Sequence, residues 1–341
     1  MKKIISLLLI AFLVSGLLVG CSNRNETSID TDANVDEGKP IEIRIACVGN
    51  ESHQYTIAAN IFKEEIEKLS EGKVNVTVFP NASLGGERKA AESVKMGTIE
   101  MSVLCPDGVL PLWIPDTQAL SIPYLFKDRE DAYAKLDGIV TELLDPKYEE
   151  QGFKNLGYVE LGFRHFTNNK REIKTAADLK GLKIRVVEAP IWFSLIETLG
   201  GIPTPIAFDE LYTALQQEVV DGQENPVGTI ASQKYYEVQK YLTLDGHNYS
   251  SGIIMANKKF YDSLSDEAKG WMDEAAKITV KKQRQIISDR EKEYIEELKN
   301  AGMTITEPDK QSFIDATEGL FLLDEVKKLV DPKIVEKIIE N

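Results

Sequence analysis

Residues 41–106 alternate between two hydrophobic periods. "IEIRIACVG" (41–49), "KVNVTVFP" (73–80) and "IEMSVLCP" (99–106) read as strands, rich in β-branched side chains. Between them, "YTIAANIFKEEIEKLS" (55–70) places Ile57, Ile61, Ile66 and Leu69 at near-helical spacing, and "GERKAAESVKMG" (86–97) ends on Gly97, a natural helix C-cap. A β-α-β-α-β order needs crossover connections, so it predicts a parallel or mixed sheet with helices on both faces. The order resumes at "NLGYVELGFRHFTN" (155–168), continues through a short "ADLKG" helix, and reaches the strand "GLKIRVVEAP" (181–190). Helices follow at 191–200 and 209–217, then "EVVDGQENP" (218–226). Leu264 to Asn300 holds almost no Gly or Pro besides Gly270 and reads as one or two long helices that pack along the rest of the chain.

The first twenty residues, "MKKIISLLLIAFLVSGLLVG", carry two lysines, an apolar run and small residues, the pattern of an export signal. "LVGC" ends that run at Cys21, as in a bacterial lipobox, which predicts a lipid on Cys21 and attachment to the cell membrane. The run falls short of the ~20 apolar residues that a spanning helix needs. Residues 21–40 are polar and acidic and bury too little to fold, so they read as a tether. Cys47 and Cys105 each end an apolar strand and read as buried free thiols, although an exported pair can also bond. A net charge of −15 without a basic patch argues against a nucleic-acid partner.

Catalytic signatures are missing. None of His53, His165 and His247 sits in an H-E-x-x-H pattern, and there is no C-x-x-C, G-x-S-x-G, Walker A or G-x-G-x-x-G motif. No cofactor is expected. The sequence instead sets polar groups in apolar surroundings: Arg164 in "GFRHFTN", Arg185 inside its strand, and Asn225 in "DGQENP". Two guanidiniums and a carboxamide can hold one carboxylate, because arginine offers its oxygens a two-pronged donor. Each arginine also has a local alternative, Glu160 for Arg164 and Glu188 for Arg185.

The run "GFRHFTNNKREIKTAADLKGLKIRVVEAP…LGGIPTPIAFDELYTALQQEVVDGQENP…YYEVQKYLTLDGHNY", together with "VFPNASLGGERKAAESVKMGTIEM", closely resembles the substrate-binding proteins of tripartite ATP-independent periplasmic (TRAP) transporters, of the C4-dicarboxylate-binding (DctP) type. The resemblance covers roughly residues 41–330. It implies an α/β, two-lobe periplasmic-binding-protein-like fold with a ligand cleft between the lobes, crossing strands and a long C-terminal helix. Lobe I is expected from 41–162 and 250–290, lobe II from 163–249 and 291–330, with 331–341 as a tail. The resemblance further implies an organic-acid ligand, no chemistry, and the membrane subunits of a TRAP carrier as partners. It makes Arg185 the salt-bridge partner of the ligand carboxylate, assisted by Arg164 and Asn225, with His53 reaching the cleft. The family's usual H-P-x-H is "HQYT" here, and Glu172 and Glu218 replace a frequent proline and glycine in loops. Glu188 either accepts from a ligand hydroxyl or compensates Arg185; Trp192 and Phe208 are minor candidates for the pocket wall; Glu224 is expected to cap backbone N–H groups. The rival functions are a surface enzyme acting on a carboxylated substrate and the receptor of an ATP-driven importer.

Overall fold

The computed structural model describes residues 39–341. The expected signal segment 1–20 and lipid-bearing Cys21 lie outside the described residues, as does all of the tether but its last two positions.

Among the described residues one mixed sheet runs through the molecule. Its strands are β1 (Ile41–Ala46), β2 (Val74–Phe79), β3 (Met101–Leu104), β4 (Phe153–Asn168), β5 (Lys183–Val186), β6 (Ile202–Pro205), β7 (Gly222–Pro226), β8 (Tyr241–Asn257) and β9 (Thr304–Thr306). They lie in the order β2-β1-β3-β8-β4-β7-β5-β6, with β9 beside β8. β1 pairs parallel with β2 and β3, and β5 parallel with β6 and β7. Between these two parallel groups run β4 and β8, antiparallel and 16 and 17 residues long. Strands of that length, about three times the usual five or six residues, carry one sheet across both halves of the chain.

The helix Gln54–Leu69 forms where the period predicted it, but its buried stripe is Tyr55, Ala58, Ala59, Phe62 and Ile66. Ile57 and Ile61 are only half-buried. Phe62 and Ile66 pack with Ile43, Ile45, Val74 and Val76 of the first two strands. The helix Glu87–Met96 ends on Gly97 in the left-handed conformation.

The long segment is a single helix, Asp266–Asn300, 35 residues, capped by Ser265. Its N-terminal half packs Met272, Ala275 and Ala276 into the core under β1 and β3, and its C-terminal half packs Tyr294 and Leu298 against Leu211, Ile230 and Leu242. The Gln283 amide accepts from the Glu160 backbone N–H at 2.8 Å and donates to its carbonyl at 2.7 Å, pinning the helix to the middle of β4. The segment 331–341, expected as a tail, carries the helix Pro332–Glu340, whose Ile334, Val335 and Ile338 are buried in the main core. Cys47 and Cys105 are free and buried, and burial pushes the Cys47 thiol up to about 12.

Candidate ligand-binding site

Arg185 is the next-to-last residue of β5 and only 2% exposed. Its strand neighbours Ile184 and Val186 are in the core, and the period of two turns Arg185 toward the opposite face. There it lines a cavity of about 290 Å³. Its Nε donates to the Ile206 carbonyl at 2.9 Å. Among the described residues no carboxylate forms an ion pair with it, and burial accordingly lowers its pKa. Glu188 lies on the same cavity wall but is exposed and unpaired with Arg185, so the local compensation considered from sequence does not form.

Arg164, on β4, is equally buried but fully engaged. It grips Glu224 with both prongs, Nε to Oε2 at 2.5 Å and Nη2 to Oε1 at 2.9 Å. Nη2 also donates to Asn225 Oδ1 at 3.2 Å, and Nη1 to the Ser250 hydroxyl at 3.2 Å. Two expectations are corrected here. Glu224 is a buried counter-ion and not a cap for backbone N–H groups. Glu160 is not the partner of Arg164; it binds Arg129 at 2.6 Å and Tyr133. Burial alone would raise the pKa of Glu224, but Arg164 and His247 overcome it and hold the carboxyl below its usual range.

His247 extends this chain of charges. Its Nε2 lies 3.2 Å from Glu224 Oε2, and its Nδ1 lies 2.7 Å from Asp245 Oδ2. The contact depends on an irregularity of β8: residues 244–247 all lie opposite the single β4 residue His165. That bulge carries Asp245 and His247 beneath Glu224. Burial disfavours the imidazolium, yet the Asp245 and Glu224 carboxylates more than offset it and raise the His247 pKa from 6.5 to about 9. The folded state therefore gains stability from this proton below pH 6.5 and loses it as pH rises through 9. The expected loss is about 3 kcal/mol. Urea unfolding from about pH 6 to about pH 10 measures it; His247→Gln should make the fall smaller, and an unchanged fall in that variant would contradict it.

His53 caps the helix Gln54–Leu69 and lines the cavity at 1% exposure. Burial lowers its pKa to about 3, so the ring is neutral. It meets Phe208, also in the cavity wall, edge to face at 5.5 Å between centroids. Asn225 lines the cavity as well, its Nδ2 donating to Gln223 Oε1 at 2.5 Å. Trp192 does not line it. The ring lies 4.9 Å from the Arg164 guanidinium, inside the core. Thus Arg185, Arg164, Asn225, Glu188, His53 and Phe208 share one cavity, and Trp192 supports one of them from behind.

Sequence reasoning missed Glu87, which lines the same wall, and the partnership of Glu224, His247 and Asp245. The closeness of Glu224 to Arg164 across β4 and β7 left no local signal. Two further contacts join segments distant in sequence, and of their residues Gly86 and Asp209 line the cavity. Asn50 donates to the Ser232 carbonyl at 2.5 Å, and Gly86 is so near Asp209 that a β-carbon there would lie 2.9 Å from its carboxylate.

Comparison with known proteins agrees with this architecture. Residues 45–323 match the DctP family model, described as bacterial extracellular solute-binding protein, family 7. A solute-binding protein of Verminephrobacter eiseniae is 39% identical over 81% of this chain and 82% of its own. The 2,3-diketo-L-gulonate-binding periplasmic protein YiaO of Escherichia coli is 35% identical over 76% of this chain and 79% of its own. A TRAP periplasmic solute-binding protein of Polaromonas, solved with D-erythronate, superimposes with a TM-score of 0.83 at 36% identity, covering 88% of this chain and 98% of that one. With its family match, its two-lobe fold and its relatives in agreement, the chain belongs to the DctP family of bacterial extracellular solute-binding proteins, the substrate receptors of TRAP transporters.

Proposed function

We propose that this receptor captures an organic acid by its carboxylate on Arg185 and delivers it to the membrane subunits of a TRAP carrier. One observation carries the reading: Arg185 is a buried guanidinium lining a cavity, with no carboxylate partner among the described residues. Such a group is costly unless an anion meets it. Among the described residues the side chain makes one hydrogen bond, through Nε, which leaves both Nη groups without one. Arg164 lines the cavity beside it, but its prongs are taken by Glu224, so it assists more than it grips. Asn225 is held by Arg164 and Gln223 and presents its remaining amide hydrogen. The named ligands of relatives, D-erythronate and 2,3-diketo-L-gulonate, each carry a carboxylate, which supports the same reading.

The lobes are assigned as 41–162 with 250–290 and 163–249 with 291–330, closing over the ligand by hinge motion. The receptor performs no turnover. A thermal-shift screen of carboxylic acids, each beside its methyl ester, tests the function, since a ligand raises apparent stability by mass action. Acids should raise the melting temperature and esters should not; equal shifts would overturn the carboxylate site.

The anchor belongs to the same proposal: Cys21 carries a lipid that holds the receptor at the membrane. Cys21→Ala is expected to release the protein into the soluble fraction or to block its processing. Unchanged membrane attachment and processing would remove the lipid from Cys21.

A further inference from the structure

The wall around Arg185 carries unused hydrogen-bonding capacity of a particular kind. The His53 Nδ1 accepts from the Tyr55 backbone N–H at 3.2 Å, so the proton of the neutral ring sits on Nε2. That Nε2 is buried and has no partner among the described residues. His53, a residue of the cavity wall, therefore holds one buried, uncharged N–H donor without a partner among the described residues. Glu87 supplies the complement. Its Oε1 accepts from the Cys105 backbone N–H at 2.6 Å, which holds the carboxyl against the cavity, and among the described residues no hydrogen bond reaches its other oxygen.

The charges sort in the same way. Arg164 is neutralised by Glu224, which leaves Arg185, among the described residues, as a buried lining cation without a carboxylate. Arg88 and Lys89 line the mouth but are exposed, so a carboxylate that reached them would stay in water and gain little. Glu87, Glu188 and Asp209 also line the cavity. A second ligand carboxylate inside would thus meet anions and only uncharged donors, among them His53 and Asn225. A hydroxyl can accept from His53 and donate to a carboxylate of the wall, and leaves neither side unsatisfied.

We propose that the cavity selects a hydroxylated monocarboxylate over a dicarboxylate, with His53 and Glu87 reading its hydroxyl groups. This rests on Arg185 holding the carboxylate. A site built to hydrogen-bond a hydroxyl discriminates strongly against an analogue that lacks it, because its own buried groups then go unpaired.

The test is calorimetric titration of the purified protein at about pH 8.5, above the value of about 7 to which burial raises the Glu87 carboxyl, so that this group is ionised. The ligands are 2,3,4-trihydroxybutanoate and gluconate against succinate and glutarate. At least one hydroxylated monocarboxylate should bind tenfold or more tighter than either dicarboxylate. Glu87→Gln, checked for an unchanged melting temperature, should weaken the hydroxy acid several-fold and strengthen succinate, narrowing the ratio. Succinate or glutarate binding as tightly as the hydroxy acids overturns the selectivity and leaves the Arg185 site standing. An unchanged ratio in folded Glu87→Gln removes Glu87 from it. Binding of none of the four acids overturns this inference together with the carboxylate site beneath it.

Discussion

Arg185→Ala is expected to abolish most binding of the acid without destabilising the protein. Truncating one partner of a buried charged pair costs on the order of 2–5 kcal/mol, or roughly 30- to several-thousand-fold in affinity. The stability forecast follows from the missing counter-ion. Among the described residues, buried Arg185 makes one hydrogen bond, to the Ile206 carbonyl, and meets no carboxylate. Removing it removes a desolvated charge, so the melting temperature should hold or rise. Arg185→Lys should also bind poorly, because an ammonium cannot reproduce the planar fork. Calorimetric titration and a melting curve on the same variant decide the matter. A folded Arg185→Ala protein with near-native affinity would take Arg185 out of the site, and a large drop in melting temperature would mean that it has a structural partner.

Glu224→Ala should do the reverse and strike the fold first. Glu224 sits between two buried cations, Arg164 and His247. Its loss strands the guanidinium with only neutral acceptors and leaves the imidazole to Asp245 alone. Breaking a buried pair by removing one partner costs about 3–5 kcal/mol, a large share of the stability of an ordinary domain. The urea midpoint should fall by that amount with the slope unchanged. Arg164→Ala should cost less stability, since Glu224 keeps His247. A Glu224→Ala variant within about 1 kcal/mol of the parent, the range of an exposed pair, would show that the cluster is solvated and contributes little.

Much of the fold was legible in the sequence because its signals are local. Period and capping placed the elements of residues 41–106 to within a few residues, and the low content of Gly and Pro located the long helix. Which stripe of the first helix is buried was less legible: isoleucines suggested Ile57 and Ile61, but the sheet lies under Phe62 and Ile66. The candidate site was legible through Arg185, a charge inside a β-branched strand, and through the family resemblance for Arg164, Asn225 and His53. Glu87 was hidden because a carboxylate in the first turn of a helix is ordinary at a helix N-terminus. Nothing local shows that its helix begins at the cavity.

By itself the sequence determined that the strand around Arg185 buries a guanidinium, and that a compensating anion must come from somewhere. Which anion serves which arginine was decided by the tertiary structure. Glu160 and Arg164 are four apart on β4, and an unbroken strand would turn both to one face. The register shifts between Glu160 and Gly162, with Gly162 at φ +109°, and the face changes there. Leu161 and Arg164 consequently line the cavity together, while Glu160 turns to Arg129 and Tyr133. Arg164 then finds Glu224 on the neighbouring β7, 60 residues away. On β5 the strand ends at Val186, Glu188 stays exposed, and Arg185 is left lining the cavity without a carboxylate of its own among the described residues. A charge-assisted hydrogen bond needs its partners within about 3 Å of one another, so ion pairing follows from strand register and bulges, which are set by pairing between distant segments and not by the spacing of charges along the chain.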